Sequence, residues 1–222
     1  MNIIEEAKKQ GRTSLSEFEA KQILSSYKIP ITKEMLVRSS EELFDATKKI
    51  GYPVVLKGCS SDITHKTEKG LVQLDIRNDE DAESVFNDII SSMGSDNGSV
   101  LVQEMVSGKR ELVAGLVRDP QFGPCVMFGL GGIFTEVLSD VSFRLAPLKK
   151  RDAMEMMGEI KGHKILNAIR GMKEVDRDTL SQILINVGQI GLENESIKEI
   201  DINPLIISDG KPVAVDALLV IQ

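Results

Sequence analysis

The chain has 222 residues, of which 41% are hydrophobic, 27% charged and only 4% aromatic, with no tryptophan. That composition suits one large domain or two lobes with a core of Ile, Leu, Val and Met. A net charge of -7 argues against non-specific nucleic-acid or anionic-membrane binding, and two cysteines without a CxxC spacing read as reduced thiols and not as a zinc site.

The N-terminal residues show no signal-peptide pattern, and no apolar run is long enough to span a bilayer. We therefore expect a cytoplasmic protein with no membrane partner. Residues 1 to 13 are polar and read as a loose helix or arm. Ser14-Leu-Ser-Glu17 offers a capping box for a helix with Ala20, Ile23, Leu24 and Tyr27 on one face, and Pro30 ends it. Ile31 to Val37 reads as a strand. Ser39 and Glu42 then cap a helix that runs to Ile50, with Gly51 and Pro53 closing it. A short apolar run from Pro53 ends at Lys57. A polar stretch with Asp62, His65, Lys66 and Lys69 separates it from a second apolar run, Leu71 to Leu74. Ala82, Val85, Phe86, Ile89, Ile90 and Met93 mark an amphipathic helix. The first lobe is thus expected to be an α+β unit, β-α-β-loop-β-α, with its helices on one face of a sheet.

After the polar linker GSDNGS, strands are expected over 100–106, 111–118, 124–130 and 133–138, with Ser107 to Arg110 joining the first two as a hairpin. Residues 149 to 172 read as helical, with His163 at a helix start, and Met154, Met156 and Met157 fill core. Asp176 caps a helix with Leu180, Ile183, Leu184 and Val187 on its buried face. Strands over 197–202, 205–208 and 212–220 close the chain around the turn Asp209-Gly210.

Three stretches carry candidate chemistry. The strand KEIDIN has period two, so Glu199, Asp201 and Asn203 point away from Ile200 and Ile202. A two-residue turn at Asp209-Gly210 sets a register with Asp216 opposite Asn203, on the same face and roughly 5 Å apart at Cβ. Asp201, Asn203 and Asp216 then form either an all-oxygen site for a hard cation such as Mg²⁺ or a solvated strand face, and Pro204 leaves room for the register to slip. The second stretch is glycine-dense GLGGI at 129–133, which reads as a tight turn or as backbone N–H groups approaching phosphate, with Arg144 downstream. The third is the loop of His65, bounded by Gly58 and Gly70. A neutral imidazole there could take up a phosphoryl group, with the lysines screening its charge, or could simply be a surface histidine. Lys57, Glu104 and Glu111 stand at strand ends. They read as phosphate and ribose contacts or as ordinary surface charges. His163 reads as structural or surface.

The motifs GYPVVLKGCSSDITHKTEKGLV, VLVQEMVSGKRELVAGLVRDPQFGP, GLGGIFTEVLSDVSFRLAPL and EIDINPL, in this order and spread over nearly the whole chain, resemble the ATP-grasp subunit of ADP-forming acyl-CoA synthetases. These are the acetate–CoA ligases related to succinyl-CoA synthetase. The resemblance implies an ATP-grasp fold: an N-terminal segment 1–28, a small lobe 29–103 and a large lobe 104–222, with the nucleotide between the lobes. It implies that Lys57, Gly131, Gly132 and Arg144 line the nucleotide phosphates. Glu104, Met105 and Val106 would hold adenine through backbone groups, Glu111 would face the ribose, and Asp201, Asn203 and Asp216 would bind Mg²⁺. His65 matches a histidine that is transiently phosphorylated. The implied reaction is acyl-CoA + ADP + phosphate ⇌ carboxylic acid + CoA + ATP, with this chain handling the transfer between phosphohistidine and Mg·ADP. The His65 loop would then have to swing between two sites. The chain carries no Rossmann fingerprint for CoA, so an alpha subunit in an α2β2 assembly is expected to bind CoA and acid. CSSDITHKTEKGLV departs from the family, which more often has proline after the first serine and Gly-Gly before the valine. Two rival functions use the same fold: a stand-alone carboxylate ligase that would not need His65, and a nucleotide sensor without catalysis. The acyl group, the net direction and the nucleotide preference are not written in these motifs.

Overall fold

Hydrophobic residues segregate into two separate cores, and the chain divides accordingly. The computed structural model describes residues 3–59, 70–94, 98–132 and 140–222. One unit comprises residues 16–18 and 32–106, the other residues 1–15, 19–31 and 107–222. The second lobe therefore begins at Ser107, and most of the N-terminal segment joins it.

The first half contains α1 (Ile3–Lys9), α2 (Glu17–Ser26), β1 (Glu34–Val37), α3 (Ser40–Ile50), β2 (Val54–Cys59), β3 (Val72–Ile76), α4 (Asp79–Met93) and β4 (Ser99–Glu104). The second half adds β5 (Glu111–Asp119), β6 (Gly123–Leu130), β7 (Val141–Leu145), α5 (Lys150–Glu159), a 3₁₀ turn His163–Leu166, α6 (Arg177–Glu193), β8 (Ile197–Ser208), β9 (Lys211–Ala214) and β10 (Leu218–Ile221). Among the described residues no helix is long and apolar enough to cross a membrane.

The smaller unit is a four-stranded antiparallel sheet of order β1-β4-β2-β3. Its helices start where side-chain caps supply acceptors: Ser39 Oγ takes the Glu42 N–H at 3.2 Å, and Asn78 Oδ1 takes the Asp81 N–H at 2.8 Å. Leu43 and Ala46 of α3 and Phe86 and Ile89 of α4 pack on Val54, Leu56, Val100 and Val102. The opposite face carries Val55, Lys57 and Cys59 of β2 beside Gln103, Leu101 and Ser99 of β4, and all six are buried.

The larger unit holds a sheet of order β10-β8-β5-β6-β7, with β9 also paired to β8. One face packs under α5 and α6: Leu116, Val126, Phe128, Ile200 and Ile202 meet Met156, Met157, Leu184 and Val187. The other face presents the alternate residues of each strand.

Five expectations need correction. Ser107 to Arg110 does not close a hairpin, because β4 pairs with β1 and β2 while β5 pairs with β6 and β8. The stretch is held elsewhere. The buried Arg110 guanidinium donates to the carbonyls of Ile165, Asn167 and Lys173, and a Cβ on Gly108 would meet the Ile207 carbonyl at 2.5 Å. The stretch 149–172 is not helical throughout. At its break the N–H groups of Lys161 and Gly162 donate to the two carboxylate oxygens of Asp140, each at 2.7 Å, which satisfies them outside any helix. β7 was not expected, although Val141, Phe143 and Leu145 alternate with Ser142 and Arg144. The strand β8 runs through Pro204, because a bulge opposite Val113 accommodates Asn203 and Pro204. The segment 212–220 splits into β9 and β10, with Val215 to Ala217 outside both strands. The expected strand 133–138 lies outside the described residues.

Candidate functional site

Strand register brings the first group of candidates together on the open face of the larger sheet. Leu205 pairs with Ala214, and Leu218 pairs with Asp201. Counting inward from both sides places Asn203 opposite Asp216, as the turn at Asp209-Gly210 implied. Pro204 bulges the strand without shifting this register. Such bulges re-aim side chains where a sheet meets a site. Asp201 lies in the row Asp201, Gly115, Met127, Phe143, on the face away from α5 and α6.

The electrostatics of this cluster favour a cation. The Asp201 carboxyl is pushed up to about 6, first by burial, then by the charges of Glu199 and Asp216. Crowded, half-buried carboxylates are costly until a positive charge offsets them. Among the described residues no three His, Cys, Asp or Glu side chains gather into a metal site. The set here is two carboxylates and an amide oxygen. That donor chemistry fits Mg²⁺, which takes one or two carboxylates and keeps positions for phosphate oxygens and water.

The glycine turn and Glu111 join the same face. The Gly131 N–H donates to the Glu111 carbonyl at 2.9 Å, and the Gly132 N–H donates to Asn203 Oδ1 at 3.3 Å. Gly132 has φ +61°, and a Cβ there would collide with Glu111 Oε2. A side chain is therefore excluded twice, by backbone conformation and by space. Gly132 thus touches both Glu111 and Asn203. Arg144 does not join them. It pairs across to Val126, on the face packed under the helices, and its guanidinium is bound to Glu159 of α5 and to the Phe143 carbonyl at 2.9 Å. Strand alternation sets it apart from the other residues expected to line phosphates: Arg144 has the parity of Ser142, whose hydroxyl donates to the Met156 carbonyl.

The smaller unit carries the remaining candidates. Lys57 is buried in the middle of β2, and its ammonium donates to Glu17 Oε1 at 2.6 Å. The Glu104 backbone N–H donates to the Lys33 carbonyl and its Oε1 accepts from the Lys33 N–H, at 2.9 and 2.8 Å. The Met105 N–H goes to the Pro53 carbonyl at 3.2 Å, and the Met105 side chain is exposed. Val106 is the last residue of this unit. His65, with Asp62, Lys66 and Lys69, lies outside the described residues. The ends of its segment are fixed: β2 and β3 pair up to Lys57 and Val72, and the Gly58 N–H donates to the Leu71 carbonyl at 2.8 Å. His163 holds the Ile160 carbonyl through Nδ1 at 3.1 Å on the protein surface, a structural role.

Two buried charges on α2 escaped the sequence reading, Glu17 at 3% exposure and Lys21 at 0%. Their signal was present. Glu17, Ala20, Lys21 and Leu24 stand at i, i+3, i+4 and i+7, so two charges fall on the apolar stripe itself. A charge on a buried stripe needs a partner, and each has one.

Residues 6–221 match the family model of the ATP-grasp domain. The chain is similar to the beta subunit of acetate–CoA ligase (ADP-forming) I of Pyrococcus furiosus, 46% identical over 99% of this chain and 96% of that one. It is also 40% identical to acetate–CoA ligase (ADP-forming) I of Archaeoglobus fulgidus, over 90% of this chain but 30% of that longer one. A solved structure from Ca. Korarchaeum cryptofilum matches with TM-score 0.88 and 43% identity, covering 99% of this chain and 98% of its own. It is described as a dinucleotide forming acetyl-coenzyme A synthetase in complex with coenzyme A and Mg-AMPPCP, its phosphohistidine segment pointing towards the nucleotide binding site.

Proposed function

The chain belongs to the ATP-grasp family, among the beta subunits of ADP-forming acetate–CoA ligases, and from that premise we propose that it passes phosphate between its own His65 and ADP. The full reaction is acyl-CoA + ADP + phosphate ⇌ carboxylic acid + CoA + ATP. In the step on this chain, a terminal β-phosphate oxygen of ADP attacks the phosphorus of phospho-His65. The P–N bond breaks, the imidazole leaves neutral because its other ring nitrogen carries a proton, and ATP forms. Such transfers depend mainly on positioning and charge neutralisation.

The observation that carries this reading is the joint placement of Asp201, Asn203, Asp216, Glu111 and Gly132 on one open sheet face. Asp201, Asn203 and Asp216 would hold Mg²⁺, which neutralises phosphate charge when bound. Asn203 is oriented for this by the Gly132 N–H. Gly131 and Gly132 present backbone without side chains, which leaves room for phosphate oxygens. Glu111 would accept from ribose hydroxyls. In the smaller unit Lys57 would donate to phosphate. The Glu104 and Met105 N–H groups are already given to Lys33 and Pro53, so the carbonyls of Glu104 and Met105 and the backbone of Val106 would serve the base. Arg144 has no part in this scheme. It ties β7 to α5.

An alpha partner supplies the CoA and acid chemistry, because the A. fulgidus relative carries this chain as only 30% of its length. We take the assembly as α2β2. The test is ATP formation from acetyl-CoA, ADP and phosphate, by the chain alone and with its alpha subunit. ATP should form only with both. Turnover by this chain alone would overturn the division of labour.

A further inference from the structure

The mechanism gives no task to Lys21. Its side chain is wholly buried in α2, where an ammonium is costly unless it is held. Its Nζ donates to the Val215 carbonyl at 3.2 Å. Val215 is the residue before Asp216 and opens the link between β9 and β10. The Val215 N–H is fixed as well: it donates at 3.1 Å to the carbonyl of Pro204, the residue after Asn203. Both polar groups of the Val215 backbone are thus anchored, one beside Asn203 and the other to Lys21. Beyond it, Asp216 Oδ1 accepts the Ala217 N–H at 2.8 Å.

We infer that Lys21 is a positioning residue for Asp216, fixing the β9–β10 link so that the Asp216 and Asn203 oxygens can share one divalent cation. This inference rests on the metal role proposed for Asp216. These two anchors fix the start of the link, directly before Asp216. Partners of metal ligands commonly tune affinity about 10–100-fold.

The test is Mn²⁺ binding to the full chain with ADP, followed by electron paramagnetic resonance, for wild type, Lys21→Met, Lys21→Gln and Asp216→Ala. Folding is checked by circular dichroism. The inference expects a folded Lys21 variant to bind Mn²⁺ at least about tenfold more weakly, while affinity for metal-free ADP stays as in wild type. If Asp216→Ala weakens Mn²⁺ and a folded Lys21 variant does not, Lys21 has no positioning role. If Asp216→Ala itself binds as wild type, the metal reading fails first. If neither Lys21 variant folds, the residue serves the core and the inference is overturned.

Discussion

Replacing Glu17 by alanine should destabilise the smaller unit severely. Glu17 Oε1 and Lys57 Nζ lie 2.6 Å apart, with side chains 1% and 6% exposed. Deleting the acid leaves a buried ammonium without its carboxylate, a change that typically costs about 3–5 kcal/mol. The double variant Glu17→Leu with Lys57→Met removes both charges and fills the space with apolar atoms. Such replacements of a buried pair are often neutral or stabilising. The urea midpoint, followed by circular dichroism, should therefore fall sharply in Glu17→Ala and recover in the double variant. ADP affinity should not recover, because Lys57 is gone. A double variant as unstable as Glu17→Ala would refute the argument that the uncompensated charge is the cause.

Other perturbations address other parts of the molecule. Gly132→Ala forces an L side chain into a positive-φ position and against Glu111, so it should cost about 1–3 kcal/mol and weaken ADP binding measured by calorimetry. Unchanged ADP affinity would show that Glu111 does not face the nucleotide. Asp176 caps α6 by accepting the Thr179 N–H at 2.9 Å, and its alanine variant should lose about 1 kcal/mol at neutral pH. The hydrogen bonds from the Thr179 backbone and hydroxyl hold the Asp176 carboxyl below its ordinary 3.8. The cap is therefore fully present above that value and is lost as pH falls through the lower folded value, so the gap between wild type and variant should close only in strong acid. A gap that closed near neutral pH would contradict the assignment.

Much of the scaffold was legible because local signals and tertiary demands agreed. Ser39 and Asp176 mark true helix starts, and Ile200 and Ile202 alternate with Asp201 and Asn203 as a half-buried strand must. Register propagated from the Asp209-Gly210 turn correctly placed Asp216 opposite Asn203. The failures have a common physical source, since they depend on distant partners. Ser107 to Arg110 looks like a hairpin turn locally, but Arg110 serves carbonyls more than fifty residues away. The helical stretch after residue 149 breaks because Asp140, outside it, takes two of its N–H groups. Arg144 lies apart from the other candidates because it belongs to β7, a strand that was not expected, whose parity turns its side chain towards Glu159. Glu17 and Lys21 could have been found, had charges on the apolar stripe of α2 been treated as a signal.

The central claim is that His65 carries phosphate. The direct measurement is incubation of the chain and its alpha subunit with γ-labelled ATP and Mg²⁺, followed by mapping of the label. The account predicts base-stable, acid-labile phosphate on His65, absent from His65→Ala and strongly reduced in Asp216→Ala. A wild-type complex that makes ATP from acetyl-CoA, ADP and phosphate yet takes no label on His65 would contradict it.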